Sequence, residues 1–187
     1  MLESYGVLLE SDPKLPSVCA IIAGSPIKGS WWGHAQGHAI FRINRQLAGH
    51  PDVLVAKLVS GKVTFVHREL WPAVVAIGAA RELWQLKNLS RAARSLLDRV
   101  TWEGELQAAG APARELETVL LVFSQQIHTP SGAHAKRLLS WERWADRMGL
   151  PEIRVTPEQA RKQLEDRMAA LNVQFGAKGR LHWTAFR

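Results

Sequence analysis

Residues 53–68 read VLVAKLVSGKVTFVHR, two arms rich in β-branched side chains that are joined by Ser60-Gly61. Such arms favour strands, and a short connection ending in Gly supplies the positive φ angles that a tight hairpin turn requires. The stretch therefore predicts a β-hairpin. The expected cross-strand pairs are Val59 with Lys62, Lys57 with Thr64 and Val55 with Val66.

Helices are expected on both sides of this hairpin. Upstream, the apolar residues predict one helix over residues 15–23 and a second over residues 34–48. The second helix ends at Gly49-His50-Pro51, because proline is unable to continue a helix. Downstream, Pro72 begins a predicted helix that runs to about Trp84.

The second half of the chain repeats this order of elements. Helices are predicted over residues 89–100 and after Pro112, and LLVFSQQIHT and HAKRLLSW predict a second hairpin around residues 130–133. The buried stripe of the first of these helices is expected to contain Leu89, Ala92, Ala93, Leu96, Leu97 and Val100. A hairpin symmetric about Ser131 pairs His128 with His134, whereas a shift by one residue places them on opposite faces.

The end of the chain carries a helix signal and a distinctive tail. Thr156-Pro157-Glu158-Gln159 is a capping box that opens a helix through Leu164 and Leu171. The tail FGAKGRLHWTAFR is basic and aromatic, and we expect it to be ordered only by docking.

Helices followed by a two-stranded ribbon are the order of a winged helix, in which a helix can enter the major groove of DNA. The sequence thus predicts an α+β, mostly helical fold with two tandem winged-helix-like units, each with a β-hairpin wing. The expected domains are residues 1–86, with the first hairpin, and residues 87–187, with the second hairpin, the last helix and the tail.

Composition limits the class of protein. The chain has 187 residues, of which 47% are hydrophobic, and this composition is typical of a globular protein. Its formal net charge of +7 is compatible with binding to an acidic partner. The lone Cys19 excludes an intramolecular disulfide framework. No apolar run approaches the roughly 20 residues of a membrane-spanning helix, and the N-terminus lacks a basic signal region. We therefore expect a cytoplasmic protein with no membrane partner, while its oligomeric state stays open.

The first functional hypothesis is nucleic-acid binding, to DNA rather than RNA, in a regulatory or DNA-repair role. Basic residues on both hairpins and one helix would contact phosphates, and the adjacent Trp31 and Trp32 would stack on bases. The candidate residues are Lys57, Lys62, Arg68, Arg91, Arg94, Lys136, Arg137, Trp31 and Trp32. For the cations the alternative is an ordinary solvated surface, because Glu69, Glu82 and Asp98 are interspersed among them. For Trp31 and Trp32 the alternative is packing against the core.

The second hypothesis is an enzyme centred on the segment SWWGH, residues 30–34. Its acid–base candidates are His34, His38, His67, His128 and His134. Four-residue spacing would place His34 and His38 on one helix face, but no third ligand of evident spacing follows, so neither a metal nor another cofactor is predicted. Since no Ser/His/Asp spacing, carboxylate pair or HExxH motif is present, the sequence leans against an enzyme.

The third hypothesis is a protein-interaction module with an exposed Trp surface. The chain has eight Trp. Five of them fall near element boundaries, where packing accounts for them: Trp71, Trp84, Trp102, Trp141 and Trp144. Trp31 and Trp32 are then the pair most open to a functional role.

SWWGHAQGHAIF, KLVSGKVTFVHRELWP and HTPSGAHAKRLLSWERW together resemble a family of uncharacterised bacterial proteins, over about residues 25–150. That resemblance implies a shared fold and no particular reaction. A weaker, architectural likeness is to bacterial DNA glycosylases assembled from tandem winged helices. Their catalytic motif matches no particular residues of this chain, so their chemistry is not implied.

Overall fold

The computed structural model describes residues 1–128 and 134–186, which form an α+β protein with two three-stranded antiparallel sheets. The chain divides into two compact units. Unit 1 comprises residues 1–71 and 162–187, and unit 2 comprises residues 72–161. The predicted α+β class is therefore confirmed.

Unit 1 contains most of the N-terminal elements and the larger part of the last helix. Its elements are α1 (Leu2–Tyr5), β1 (Val7–Leu9), α2 (Val18–Ala23), α3 (Gly37–Ala48), β2 (Val53–Val59), β3 (Lys62–His67) and α9 (Pro157–Phe175) from Lys162 onward. A 3₁₀ turn at Trp31–Gly33 precedes α3, and another lies at His182–Phe186.

Unit 2 holds the elements between these. They are α4 (Trp71–Ala79) from Pro72 onward, α5 (Leu83–Leu86), α6 (Arg91–Glu103), β4 (Glu105–Ala108), α7 (Gly110–Thr118), β5 (Phe123–His128), β6 (His134–Leu139), α8 (Trp141–Arg147) and the start of α9.

The two sheets of the described chain have the same strand order. Unit 1 has β1-β3-β2 and unit 2 has β4-β6-β5, all antiparallel. The hairpins β2–β3 and β5–β6 follow the sequence prediction, whereas β1 and β4 were not predicted. These strands are short, VLL and ELQA, and neither has an alternation that distinguishes it from a loop.

The first hairpin is confirmed, but most of its predicted register is wrong. Ser60 (φ 52°) and Gly61 (φ 69°) form the turn, and Val59 pairs with Lys62 as expected. Beyond that pair, a β-bulge between Ala56 and Val59 adds one residue to β2. The pairs are consequently Ala56 with Thr64 and Val55 with Phe65, not Lys57 with Thr64 and Val55 with Val66.

The second hairpin has the symmetric register. Its backbone pairs His128 with His134, Gln126 with Lys136 and Phe123 with Leu139. The predicted turn residues 130–133 lie outside the described residues. Of the two alternatives that the sequence left open, the structure selects the one that places both histidines at opposing backbone positions.

Two predicted helices have different ends in the structure. The helix expected from His34 begins at Gly37, because Trp31–Gly33 forms the 3₁₀ turn. The helix expected over residues 72–84 breaks after Ala79, where Arg81 has a positive φ of 51°. Glu82 then caps the separate helix α5 through a capping box with Gln85.

The core of unit 2 contains most of the predicted stripe. Leu89, Ala93, Leu97 and Val100 are buried against Leu116, Leu121 and Leu138, while Ala92 is exposed. The core of unit 1 includes Leu8, Val18, Cys19, Trp31, Ile40 and Phe65. Burial of these side chains is the main stabilising contribution in each unit.

The C-terminal tail docks within unit 1, as expected. The Ser60 N–H donates to the Arg180 carbonyl at 2.7 Å, and Leu181 bridges to Val59. The predicted capping box at the start of α9 is also confirmed, since Thr156 and Gln159 exchange side-chain to backbone hydrogen bonds.

The structure adds one observation that bears on membranes. Over the described residues, every helix is too short or too polar to cross a bilayer.

Candidate nucleic-acid interface

The segment before α3 fixes one tryptophan inside unit 1 and presents the next to solvent. The Ser30 hydroxyl accepts from the Trp32 N–H at 3.4 Å and so caps the 3₁₀ turn. Trp31 is 7% exposed, whereas Trp32 is 66% exposed. A Cβ on Gly37 would lie 3.1 Å from the Trp32 carbonyl oxygen, so this glycine allows α3 to start close against the turn.

Aromatic rings continue from the core of unit 1 to its surface. The rings of Trp31 and Trp32 stack with centroids 4.2 Å apart and planes 21° apart. The Trp32 and Phe41 ring centroids are 5.6 Å apart, and the Arg45 guanidinium lies 5.8 Å from the Phe41 centroid. We call Trp31, Trp32 and Phe41 the aromatic ladder; its buried end holds its exposed end in place.

One carboxylate lies on the inner side of α3, near the buried end of the ladder. The buried Asn44 amide donates to the Glu10 carboxylate at 3.4 Å. Burial raises the pKa of Glu10, and an interaction with the Trp31 side chain opposes that rise. Glu10 therefore interacts with both α3 and the buried tryptophan.

Two arginines lie beside the ladder on the outer side of α3. Arg42 and Arg45 are exposed and, together with Phe41 and Gln46, line an open depression of about 390 Å³. Within the described part of the chain, neither arginine forms an ion pair. We call the exposed residues of this region the α3 face: Trp32, His38, Phe41, Arg42, Arg45 and Gln46.

Most of the cations predicted from the sequence are bound to acids or to the backbone. Within unit 1, Lys62 pairs with Asp12 at 2.7 Å and Arg68 with Asp52 at 2.9 Å. A lysine or arginine that already has a carboxylate partner must break that contact or share it to reach a phosphate. Lys62 lies at the start of β3 and Arg68 directly follows its end, and neither is part of the α3 face.

The predicted cations of unit 2 show the same pattern. Lys136 forms an ion pair with Glu117, and Arg137 pairs with Glu105 at 3.2 Å. Arg94 donates to the Leu86 carbonyl at 2.6 Å. Arg91 is exposed on α6, and Lys57, in unit 1, is half-buried on β2.

The five candidate histidines are distributed over several elements of both units. His34 lies before α3, where its Nδ1 accepts from the Gln36 N–H at 3.1 Å, so the expected shared helix face with His38 is wrong. The Nδ1 of His67 is 3.8 Å from a Glu69 oxygen. His128 and His134 belong to unit 2.

The structure adds no metal site to this picture. Among the described residues, no cluster of three or more His, Cys, Asp or Glu side chains is placed to hold a metal ion. The depression on the α3 face has no histidine in its lining. The cavity of the α3 face therefore gives no support to the enzyme hypothesis, which stays a prediction.

One tryptophan attributed to packing is instead fully accessible. Trp102, near the end of α6, is 92% exposed, so the packing expectation is wrong for this residue. Trp71, Trp141 and Trp144 are buried as expected. The interaction-module hypothesis stays a prediction, with Trp32 and Trp102 as its exposed aromatic residues.

Sequence reasoning missed Arg42, Arg45 and Phe41. A usable signal was present: between Asp12 and Asp52 the chain has no acidic residue, while Lys14, Lys28, Arg42 and Arg45 fall in that interval. The net charge of the whole chain does not reveal this interval, because the N-terminal quarter contains few charges of either sign. The absence of acidic residues from the interval, and not the number of cations, is the sequence feature that distinguishes α3.

Comparison with known proteins gives no further guide to function. No family model, curated protein or solved structure matches this chain. The resemblance to an uncharacterised bacterial family stays a prediction. The chemistry of the α3 face is accordingly the ground on which a function is assigned.

Proposed function

We propose that this protein binds nucleic acid, DNA in preference to RNA, through the α3 face of unit 1. The observation that carries the proposal is the position of Arg45 over the ring of Phe41, whose centroid lies 5.6 Å from that of the exposed Trp32. Arg42 lines the same depression, and among the described residues neither arginine forms an ion pair. Arginine supplies planar donors for phosphate oxygens, and an accessible indole supplies a surface for bases. The two chemistries occur side by side on one surface.

The electrostatics around α3 favour a polyanion. Between Asp12 and Asp52, no carboxylate is available to repel phosphates. The two flanking acids are themselves neutralised, because Asp12 binds Lys62 and Asp52 binds Arg68. The paired cations therefore support the site indirectly, by removing negative charge at both ends of the interval.

The order of elements in unit 1 also supports the proposal. Helices α1, α2 and α3 with strand β1 precede the β2–β3 hairpin, which is the order expected of a winged helix. In helix-turn-helix proteins, the second helix of the pair lies in the major groove of the DNA. In unit 1 that position belongs to α3, the helix that carries the arginines.

Each unit differs from a winged helix in one respect, and the difference is larger in unit 2. The link between α2 and α3 runs from Gly24 to Gln36, longer than the turn of about 3–4 residues in a helix-turn-helix. In the described residues of unit 2, α7 alone separates β4 from β5, so a counterpart of α3 is missing there. We therefore assign binding to unit 1.

The test is fluorescence anisotropy with labelled duplex DNA, single-stranded DNA and RNA of one length, starting at low salt. The Arg42→Ala/Arg45→Ala variant is expected to bind at least about 10-fold more weakly, because it loses two phosphate contacts. The matched control is Arg99→Ala/Arg154→Ala, which removes two arginines of unit 2 that pair with Glu103 and Glu152.

The comparison of the two variants distinguishes a site on α3 from a general effect of net charge. Binding that weakens in the α3 variant and not in the control supports the proposal. Absence of binding to every probe at low salt overturns it. Equal weakening in both variants also overturns it, because that result would reflect net charge and not a site on α3.

A further inference from the structure

We infer that the α3 face takes a strand with unpaired bases, one of which stacks on Trp32. The inference rests on the proposed function and specifies the form of nucleic acid. In a closed duplex, each internal base has both faces covered by its neighbours. Only a base in a single strand, a bulge or a frayed end can offer a free face to a protein ring.

The geometry of Trp32 is that of a stacking platform. One side of its indole is stacked on Trp31, with centroids 4.2 Å apart and planes 21° apart. The residue nevertheless stays 66% exposed, an unusual position for the largest apolar side chain. A base placed on the accessible part would extend an existing stack and would remove that apolar surface from water.

The platform is also fixed before any ligand arrives. Trp31 is buried and packs with Leu8, Ile40 and Phe65, so the ring beneath Trp32 is held by the core of unit 1. Ser30 caps the turn, and the close approach of Gly37 fixes the turn against α3. A surface that is already ordered loses less conformational entropy on binding.

The neighbouring residues suit a strand that crosses the start of α3. Phe41 is 5.6 Å from Trp32 and Arg45 lies 5.8 Å over Phe41, so aromatic and cationic groups follow one another along the helix. Such interleaving lets bases and phosphates of one strand find partners in turn. A helix that reads a duplex instead offers polar side chains near its N-terminus to base edges. Here the 3₁₀ turn just before α3 presents the exposed indole of Trp32, in addition to His38 in the first turn of the helix.

The experiment compares three probes of one length: a single-stranded DNA, the same sequence as a duplex, and an abasic strand that keeps the phosphates and lacks bases. We expect the single strand to bind more tightly than either of the others. Trp32→Leu should weaken single-strand binding by about 5- to 100-fold and leave the abasic strand unchanged, because it removes stacking and no charge.

A second substitution keeps the test independent of folding. Trp32→Phe retains an aromatic ring and is expected to bind the single strand with intermediate affinity. Both variants change an exposed side chain, and their circular dichroism spectra should match that of the unsubstituted protein. An RNA strand of the same sequence distinguishes the two sources of unpaired bases: tighter RNA binding supports the stacking site and overturns the DNA preference.

The outcomes separate this inference from the proposed function. Duplex binding as tight as single-strand binding, equal binding of the abasic strand, or no effect of Trp32→Leu would each overturn the inference. If Arg42→Ala/Arg45→Ala still weakens binding in those cases, the proposed function stands. If no probe binds at all, both are overturned.

Discussion

At the scale of single residues, Gly78 leaves the least room for a side chain among the described glycines of unit 2. A Cβ on Gly78 would lie 2.1 Å from Nε1 of Trp141 and 2.5 Å from its Cδ1. Trp141 is 2% exposed, and its Nε1–H donates to the Leu120 carbonyl at 2.7 Å. A shift of the ring away from a new methyl group would strain that hydrogen bond.

Gly78→Ala is accordingly expected to lower the free energy of unfolding by about 1–3 kcal/mol, the usual cost of overpacking. Urea unfolding followed by circular dichroism measures the change. Gly49→Ala is the control, because a Cβ there would lie at ordinary contact distances of 3.5 Å from the Arg45 carbonyl oxygen and 3.9 Å from that of Gln46. Equal midpoint shifts in the two variants would show that the Trp141 contact is not the cause.

The Asp12 carboxylate makes the stability of unit 1 depend on pH. Burial raises its pKa, but hydrogen bonds from Lys62 and from the backbone N–H groups of Lys14 and Leu15 outweigh that effect, so the pKa lies below its ordinary value. The folded state thus binds the proton more weakly than the unfolded state. The stabilisation is complete above the unfolded-state pKa and is lost as the pH falls through the folded-state pKa.

We expect Asp12→Asn to destabilise the protein near neutral pH and to matter progressively less in acid. Urea unfolding of both proteins between about pH 6 and pH 2 measures this, and the two free energies of unfolding should converge below pH 3 or so. Asp98→Asn changes an exposed carboxylate and should show no such convergence. A constant difference across the pH range would contradict the role given to the Asp12 carboxylate.

At the scale of elements, the first part of the tail of unit 1 is fixed by the Asn172 side chain of α9. The Asn172 amide donates to the Gly179 carbonyl at 2.9 Å and accepts from the Gly179 N–H at 2.7 Å. Beyond Gly179, the tail reaches the first hairpin through Ser60 and Val59. Asn172 thus ties the start of the tail to the last turn of α9, which ends at Phe175.

Asn172→Ala should loosen the tail by about 1–3 kcal/mol, because it removes two hydrogen bonds. Hydrogen exchange is the measurement: the Ser60 and Thr184 amides, which donate to Arg180 and Leu181, should exchange faster. Gln174→Ala, on an exposed position of the same helix, is the control. Unchanged exchange in Asn172→Ala would show that other contacts hold the tail.

The elements also show where sequence patterns are informative. Both hairpins were predictable from local sequence: the first from its β-branched arms around Ser60-Gly61, and the second from the turn-rich residues 130–133 between its arms. The strands β1 and β4 were not, because three or four residues carry too little pattern and each exists only by pairing with a hairpin strand. The bulge in β2 was equally invisible, since any residue type can occupy an extra position on a strand.

At the scale of the whole molecule, the net charge of +7 is a poor guide to where an anion binds. Four of the seven cations proposed from the sequence have carboxylate partners. Two arginines that were not proposed, Arg42 and Arg45, have none within the described residues. Pairing and not number therefore determines which cations are available to phosphates.

This gives a prediction for the salt dependence of binding, which rests on the proposed function. With single-stranded DNA, the slope of log affinity against log salt should become shallower by about 1.4 in Arg42→Ala/Arg45→Ala, since each phosphate contact contributes about 0.7. Anisotropy titrations over a salt series measure the slope. Arg99→Ala/Arg154→Ala should keep the original slope; a similar change in that variant would mean that charge acts diffusely.

The sequence by itself determined the local structure: the two hairpins, the stripe on α6, the capping box of α9 and the α+β class. Those features depend on patterns within about a dozen residues, which the chain carries in every environment. Tertiary structure decided the rest. Contacts between residues far apart in the chain decide which of Trp31 and Trp32 is buried. They also decide which cations pair with acids and which strand completes each sheet. Adjacent tryptophans have the same chemistry, and only the packing of Trp31 with core residues such as Ile40 and Phe65 buries one ring while the other stays exposed.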